Sequence, residues 1–208
     1  MKINEPKTKN VVDNTFKDAI INNEFNNSIF SSNSDEDIVL EDITLDTVIF
    51  KGIDFSNIKF IDVDLLDCEF INCDLSNKVF DNKFLQRVSF KNCKLSGSSF
   101  IKASIKDVTI DNSICKYINF SDTKINNVLI KDSDLSESYF LETDIKKIYF
   151  DNANLERVEF YSISLKDIDL SNSNISSIQT DLNSIRGVII DRFQSQDLVR
   201  LLGVKFKE

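Results

Sequence analysis

The sequence predicts an all-β chain wound into coils, with short extended segments separated by tight corners. Three observations carry this. The first is a five-residue beat: 13 of the 17 Phe fall at positions divisible by five, and all 28 such positions from Leu40 to Ile175 are apolar. With 41% hydrophobic residues, chance would give that run with a probability on the order of 10⁻¹¹. The second is a stripe of small or β-branched residues two places before the beat, as in Ile53, Ile58, Val63, Cys68, Cys73, Val88, Cys93, Ala103 and Val108. The third is turn chemistry between beats, at Ser56-Asn57, Ser76-Asn77, Ser96-Gly97, Asp111-Asn112, Asn126-Asn127, Asp151-Asn152 and Ser171-Asn172. Inward residues two apart have the strand period, whereas a lasting period of five drifts around a helix. Asn tolerates left-handed backbone and can replace Gly, of which the chain has only 4.

The elements follow in order. Residues 1–15 form an N-terminal extension. From residue 16, Ile20, Phe25 and Phe30 keep phase and predict an imperfect first coil. Residues 31–37, Ser-Ser-Asn-Ser-Asp-Glu-Asp, break the beat as an exposed loop. The coils then run to residue 190. Lys78 and Lys83 fall in the small inward stripe; because a buried unpaired Lys is costly, a bulge over residues 78–84 that turns Val79 or Phe84 inward is expected. Residues 191–208 leave the beat. Asp191 and Gln194 suit a helix start, Leu198, Leu201 and Leu202 an apolar face, and Gly203 a left-handed stop. Val204 and Phe206 alternate with Lys205 and Lys207, as in a short strand.

Composition excludes several activities. No His is present among 208 residues, so a Ser-His-Asp triad and a His-ligated zinc are impossible. No phosphate-binding loop or dinucleotide fingerprint appears, and the carboxylates alternate outward on a convex surface. No enzyme, metal or cofactor is expected. A net charge of −9 argues against gripping nucleic acid or an anionic membrane by charge. No signal peptide or membrane span is visible, and four Cys without one suggest reduced thiols in a cytoplasm. Cys68, Cys73 and Cys93 in the small stripe and Cys115 on the beat read as packing residues.

Cys73-Asp74-Leu75-Ser76-Asn77, Ser133-Asp134-Leu135-Ser136-Glu137 and Ala153-Asn154-Leu155-Glu156-Arg157 resemble the A-(D/N)-L-x-x pattern of pentapeptide-repeat proteins. The resemblance covers about residues 38–190. It implies a right-handed quadrilateral parallel β-helix in which residues twenty apart stack, with aromatic columns at Phe60, Phe80, Phe100, Phe120, Phe140, Phe160 and at Phe50, Phe70, Phe90, Phe150. Residues 16–190 would make about nine coils. The ending, with Ile185-Arg186-Gly187-Val188 and Leu201-Leu202-Gly203-Val204, resembles that of the Qnr family of quinolone-resistance proteins. That resemblance implies a homodimer joined through Phe193, Leu198, Val199, Leu201, Leu202, Val204 and Phe206. It also implies an acidic rod, shaped like duplex DNA, that binds DNA gyrase, with topoisomerase IV as a second candidate, and relieves fluoroquinolone poisoning. The alternatives are an immunity factor that protects gyrase from another toxin, and a scaffold with no topoisomerase link. The beat from Leu40 to Ile175 has no net insertion, so the projecting loops of plasmid-borne Qnr proteins have no counterpart.

Charge is unevenly placed. Residues 36–75 carry 11 acids and 2 bases, residues 76–131 carry 4 and 10, and residues 132–190 carry 11 and 5. One wall groups Asp62, Asp81, Asp122, Glu142, Glu159 and Asp181, and the next Lys83, Arg87, Lys106, Lys124, Lys146 and Lys166. Asp122, Glu142, Glu159 and Asp181 are therefore the expected gyrase-facing acids.

Overall fold

A computed structural model describes residues 2–204. The chain runs β1 (Val12–Asn14), α1 (Phe16–Asn22), β2 (Ser28–Phe30), β3 (Ile38–Lys51), β4 (Ile58–Ile71), β5 (Phe84–Lys91), β6 (Ser104–Asp111), β7 (Lys124–Lys131), β8 (Tyr139–Leu141), β9 (Asp144–Asp151), β10 (Glu159–Tyr161), β11 (Gln179–Thr180) and α2 (Ser195–Arg200). All strand pairs are parallel, in an eight-stranded sheet ordered β1-β2-β3-β4-β5-β6-β7-β9 and a three-stranded sheet β11-β10-β8.

Register is set by the beat. Leu65 pairs with Leu85 and Phe90 with Ile110, and Lys94 bridges Asp74 and Ile114 while Ser99 bridges Val79 and Asn119. Each partner lies twenty residues away, so one coil has four sides and every side has its own ladder. This is the four-sided parallel β-solenoid predicted by four five-residue units per turn. From Asp42 to Ser177 the corner residue two places after each beat has a φ near +55°, except at Asn57, Lys147 and Asn172. Asn and Asp dominate these corners, yet Arg87, Lys102, Tyr117 and Glu137 adopt the same conformation. Left-handed backbone costs an L residue roughly 1–2 kcal/mol; the ladder on either side offsets it. At Gly97 the fit is closer: a Cβ there would lie 2.4 Å from Asn77 Oδ1 in the coil below, so that side chain would have to move.

The interior is filled by stacked rings. Phe80, Phe100, Phe120, Phe140 and Phe160 form one column with centroids 4.9–5.1 Å apart, and Phe50, Phe70 and Phe90 form another at 5.0 Å. The coil repeat thus brings each ring close to one strand spacing from the next. The small stripe admits polar side chains by a fixed rule. Ser98, Ser138 and Thr143 are buried and donate to the carbonyls of Leu75, Cys115 and Phe120, 23 residues earlier, at 2.8, 3.1 and 2.8 Å. Cys68 and Cys93 use the same geometry toward Leu45 and Phe70. All four thiols are free and buried, and burial pushes that of Cys68 up to about 12, which suits packing rather than reactivity.

Two expectations are corrected. The first coil does not begin at residue 16: residues 16–22 form α1, capped by the Thr15 hydroxyl and closed by Asn23 at φ 53°. Phe16 and Ala19 point inward while Ile20 is exposed, and the Phe16 ring stacks on Phe30 at 4.7 Å. The helix covers the open end of the solenoid, which an extended segment in phase with the beat would leave bare. Second, no bulge turns Val79 or Phe84 inward; both are exposed. Lys78 and Lys83 keep their register, and the ladder between residues 58–64 and 78–84 opens instead. Lys78 Nζ donates to the Ile58 carbonyl at 2.8 Å, and Lys83 pairs with Asp62. The Phe60 and Phe80 rings across this seam are T-shaped at 5.6 Å rather than stacked. Residues 31–37 remain a loop, tied down by Asn57 Nδ2 to the carbonyls of Ser34 and Glu36.

Candidate functional site

Among the described residues no group of His, Cys, Asp and Glu could hold a metal, and no helix is long and apolar enough to cross a membrane. Two open grooves, of about 850 and 750 Å³, lie beside α1 and below β9.

One edge gathers the expected acids. Asp122 and Glu142 are corner residues at φ 56° and 53°, one coil apart and exposed. Ser162 is the next corner in that column, and its N–H donates to Asp181 Oδ2 at 3.0 Å. Glu159 lies in β10, half-buried beside its ladder partners Tyr139 and Gln179. Among the described residues Asp122, Glu142 and Glu159 belong to no ion pair, whereas Asp62 is paired with Lys83. Asp181 has a different task. It also accepts from Asn183 N, Ser184 N and Ser184 Oγ at 2.9, 2.9 and 2.7 Å. The Ser162 and Ser184 donors hold its carboxyl well below the usual carboxylate range. Asp181 builds the turn that starts the last coil.

The C-terminal end is apolar and partly open. Asp191 accepts from Phe193 N at 2.8 Å and its own N–H donates to Gln194 Oε1 at 2.7 Å, the capping box expected there. Gln194 Nε2 then donates to the carbonyls of Leu170 and Ser173 at 2.9 and 2.6 Å, fastening this segment to the solenoid. Gly203 takes φ 71°. Leu198 packs against the core, and Val199 and Leu201 are half-buried. Phe193, at 83% exposure, Leu202 and Val204 face outward. Phe206 lies outside the described residues.

The family model described as pentapeptide repeat region matches residues 63–140, and that described as pentapeptide repeats (8 copies) matches residues 40–77. Together the two models identify residues 40–140 as pentapeptide repeats. Among solved structures, the chain is similar to a trypsin-treated form of QnrB1, a plasmid-mediated fluoroquinolone resistance protein. The identity is 20%, over 99% of this chain and 94% of that one, with a TM-score of 0.52. A second trypsin-treated form of QnrB1 is 24% identical over 88% and 89% of the two chains, with a TM-score of 0.49. A pentapeptide repeat protein from the thylakoid lumen of Arabidopsis thaliana is 21% identical over 56% and 68%, with a TM-score of 0.32. No curated protein sequence matches. At these identities the likeness concerns the fold.

Sequence reasoning grouped the acids by wall and so missed two things. It could not tell the free carboxylates from those spent on backbone, although Asp181-Leu182-Asn183-Ser184 has the composition of a side-chain-capped turn. It also assigned no contact to residues 1–15, part of which lies along the solenoid.

Proposed function

We propose that this pentapeptide-repeat protein is a non-enzymatic binding protein that protects DNA gyrase from fluoroquinolones, acting through its acidic edge as a homodimer. The observation that carries this reading is the unpaired, exposed column of Asp122 and Glu142 on a rigid rod whose fold is that of QnrB1. The rod has suitable dimensions. From β2 to residue 188 there are eight steps of twenty residues, and at roughly 4.8 Å each they span about 38 Å, close to one turn of duplex DNA. Successive corners present side chains along a straight edge at that same spacing, and a basic groove would read them as a line of negative charge.

Dimerisation would follow from the C-terminal end. Phe193, Leu202 and Val204 leave apolar surface that the last coil does not cover, and an isologous contact between two such ends covers both at once. It would also merge the two acidic segments 132–190 into one central patch. Topoisomerase IV, whose DNA-binding groove has the same task, is the second candidate target.

The deciding experiment is a gyrase supercoiling assay with purified protein, with and without a fluoroquinolone. Restored supercoiling in the presence of drug is expected, with loss of the effect in Asp122→Lys/Glu142→Lys. Both residues are exposed corners, and Lys102 shows that the corner conformation accepts Lys. No effect at micromolar protein would overturn the reading.

A further inference from the structure

Residues 2–8 form no ladder, yet they lie against one edge of the solenoid through specific contacts. That edge is the corner column Asp67, Arg87, Asp107 and Asn127, each twenty residues from the next and each left-handed. Lys7 N donates to Asp67 Oδ1 at 2.9 Å. Asn4 N and Nδ2 donate to Asp107 Oδ1 and Oδ2 at 3.4 and 3.0 Å. Asn127 Nδ2 donates to the Lys2 carbonyl at 3.1 Å and also to Asp107, and Thr8 Oγ1 donates to Glu69. The segment therefore runs along the rod, from the coil of Asn127 back to that of Asp67.

The spacing is matched. Asp67 and Asp107 are two coils apart, about 9.6 Å, and the amides of Lys7 and Asn4 are three residues apart, about 10 Å when extended. Pro6 biases Glu5 toward the extended conformation. The charges are matched too: residues 2–9 carry Lys2, Lys7 and Lys9 against Glu5, facing two carboxylates that are only 5% and 3% exposed. Arg87 makes a bidentate pair with Asp67, at 2.6 Å for both bonds, which fixes that carboxylate for recognition. Asn127 Oδ1 is buried beside the segment with no partner, a spare acceptor for a donor on an extended chain. Ile3 and Pro6 are only half-buried, and the coils beneath are closed by their own Leu85, Val88 and Val108.

We propose that the Asp67–Arg87–Asp107–Asn127 edge is a peptide-binding site that recognises an extended, lysine-bearing segment by its backbone N–H groups, and that residues 2–8 occupy it in cis. A tethered segment competes at an effective concentration in the millimolar range, so the site is closed to an external basic peptide until the segment is released. Release uncovers two carboxylates on the edge of a rod whose other acidic edge carries Asp122 and Glu142.

The test uses the full chain. Lys7→Pro deletes the N–H that Asp67 accepts and alters nothing in the solenoid. Hydrogen exchange should show the Asn4 and Lys7 amides of the wild type protected at least tenfold relative to a free peptide of residues 2–10, and Asn4 unprotected in Lys7→Pro. A fluorescent peptide of residues 2–10 should bind Lys7→Pro at least tenfold more tightly than wild type. It should lose that binding when Asp67→Asn and Asp107→Asn are added, changes that keep a side chain tolerant of φ > 0. Protection of the Phe90 and Ile110 amides reports that the coils of each variant are intact; if the Asn changes disturb them, Lys7→Ala, which keeps the N–H and should stay closed, replaces them as the control. Free-peptide exchange rates at Asn4 and Lys7 in the wild type, or no binding of the peptide to Lys7→Pro, would overturn the proposal.

Discussion

The coils between residues 84 and 141 and the seam between residues 58–64 and 78–84 are built from the same five-residue unit, but only the first are continuous. In the continuous coils the position two before each beat is small: Ala103, Val108, Ile118, Thr123 and Ser138. Each is buried, and neighbouring coils approach closely enough to pair. At the seam the same position holds Lys78 and Lys83, whose stems need width and whose ammonium groups need oxygen. They take the Ile58 carbonyl and Asp62, and the backbone ladder gives way. The beat therefore specifies where rings go, while the small stripe specifies whether adjacent coils can close. A second break, below β9, has a different origin, because the stripe there holds the β-branched Thr143, Ile148, Ile163 and Ile168. There the corner at Lys147 loses its left-handed φ, the register against β7 slips around Asn126, and a groove lined by Ile145, Tyr149, Lys166 and Ile168 lies between β9 and the segment 164–172.

The comparison can be broken first at the rings. Phe120 is 3% exposed and lies 5.1 Å from Phe100 and 5.0 Å from Phe140. Phe120→Asp should abolish folding, and Phe120→Ala should cost about 3–5 kcal/mol. Phe60→Ala at the seam, where the ring is half-buried and T-shaped, should cost at least ~1 kcal/mol less, because the site can collapse. Equal losses in denaturant melts would show that the seam is as tightly packed as the middle.

The hydrogen-bonded stripe offers a smaller effect. Thr143→Val keeps shape and removes the bond to the Phe120 carbonyl; a loss of about 1–2 kcal/mol is expected, since the buried acceptor keeps fewer partners. The seam should respond in the opposite direction. Lys78→Ser/Lys83→Ser restores small residues and gives up the Lys78 bond to the Ile58 carbonyl and a partly exposed ion pair worth little. It should raise stability by about 1 kcal/mol and slow amide exchange at Phe60 and Asp62. Faster exchange there would mean that the lysines support the seam rather than hold it open.

The smallest effect depends on pH. Burial pushes the Asp67 carboxyl up, but hydrogen bonds from Arg87 and Lys7 and the charge of both bring it below the usual carboxylate value. A carboxyl depressed in the folded state contributes stability that is complete above its unfolded value, about 3.9, and is lost as pH falls through the folded one. Thermal melts of wild type and Asp67→Asn should therefore differ most above pH 4 and converge below it. A constant difference down to pH 2 would show that Asp67 carries no such linkage.

Much of this was legible in the sequence. The twenty-residue stacking, the facing aromatic columns and the Asp191–Gln194 cap all follow from residues that act through nearest neighbours at a fixed spacing. The left-handed corners were legible at Asn and Gly, but not at Arg87 or Tyr117, whose conformation the ladder imposes. What escaped were competitions between a side chain and the backbone. Ile20 keeps the beat, yet Thr15 and Asp18 start a helix that turns Phe16 and Ala19 inward. Lys78 and Lys83 were expected to yield to the ladder, and the ladder yielded to them. Among the candidate acids, Asp122 and Glu142 stand free on one edge, whereas Asp181 is consumed by a turn. The contact of residues 2–8 joins positions 60 to 125 residues apart and has no period to betray it.

Because every ladder joins one coil to the next, the hydrogen bonds run along the axis of the rod. A load applied to its two ends would be borne by one ring of ladders at a time rather than shared among all of them. Such a rod peels, and each coil that lets go releases twenty residues, a contour of about 66–72 Å at 3.3–3.6 Å per residue. The seam at Lys78 and Lys83 and the groove below β9 are where that peeling would begin, and the unbroken coils between residues 84 and 141 would part last.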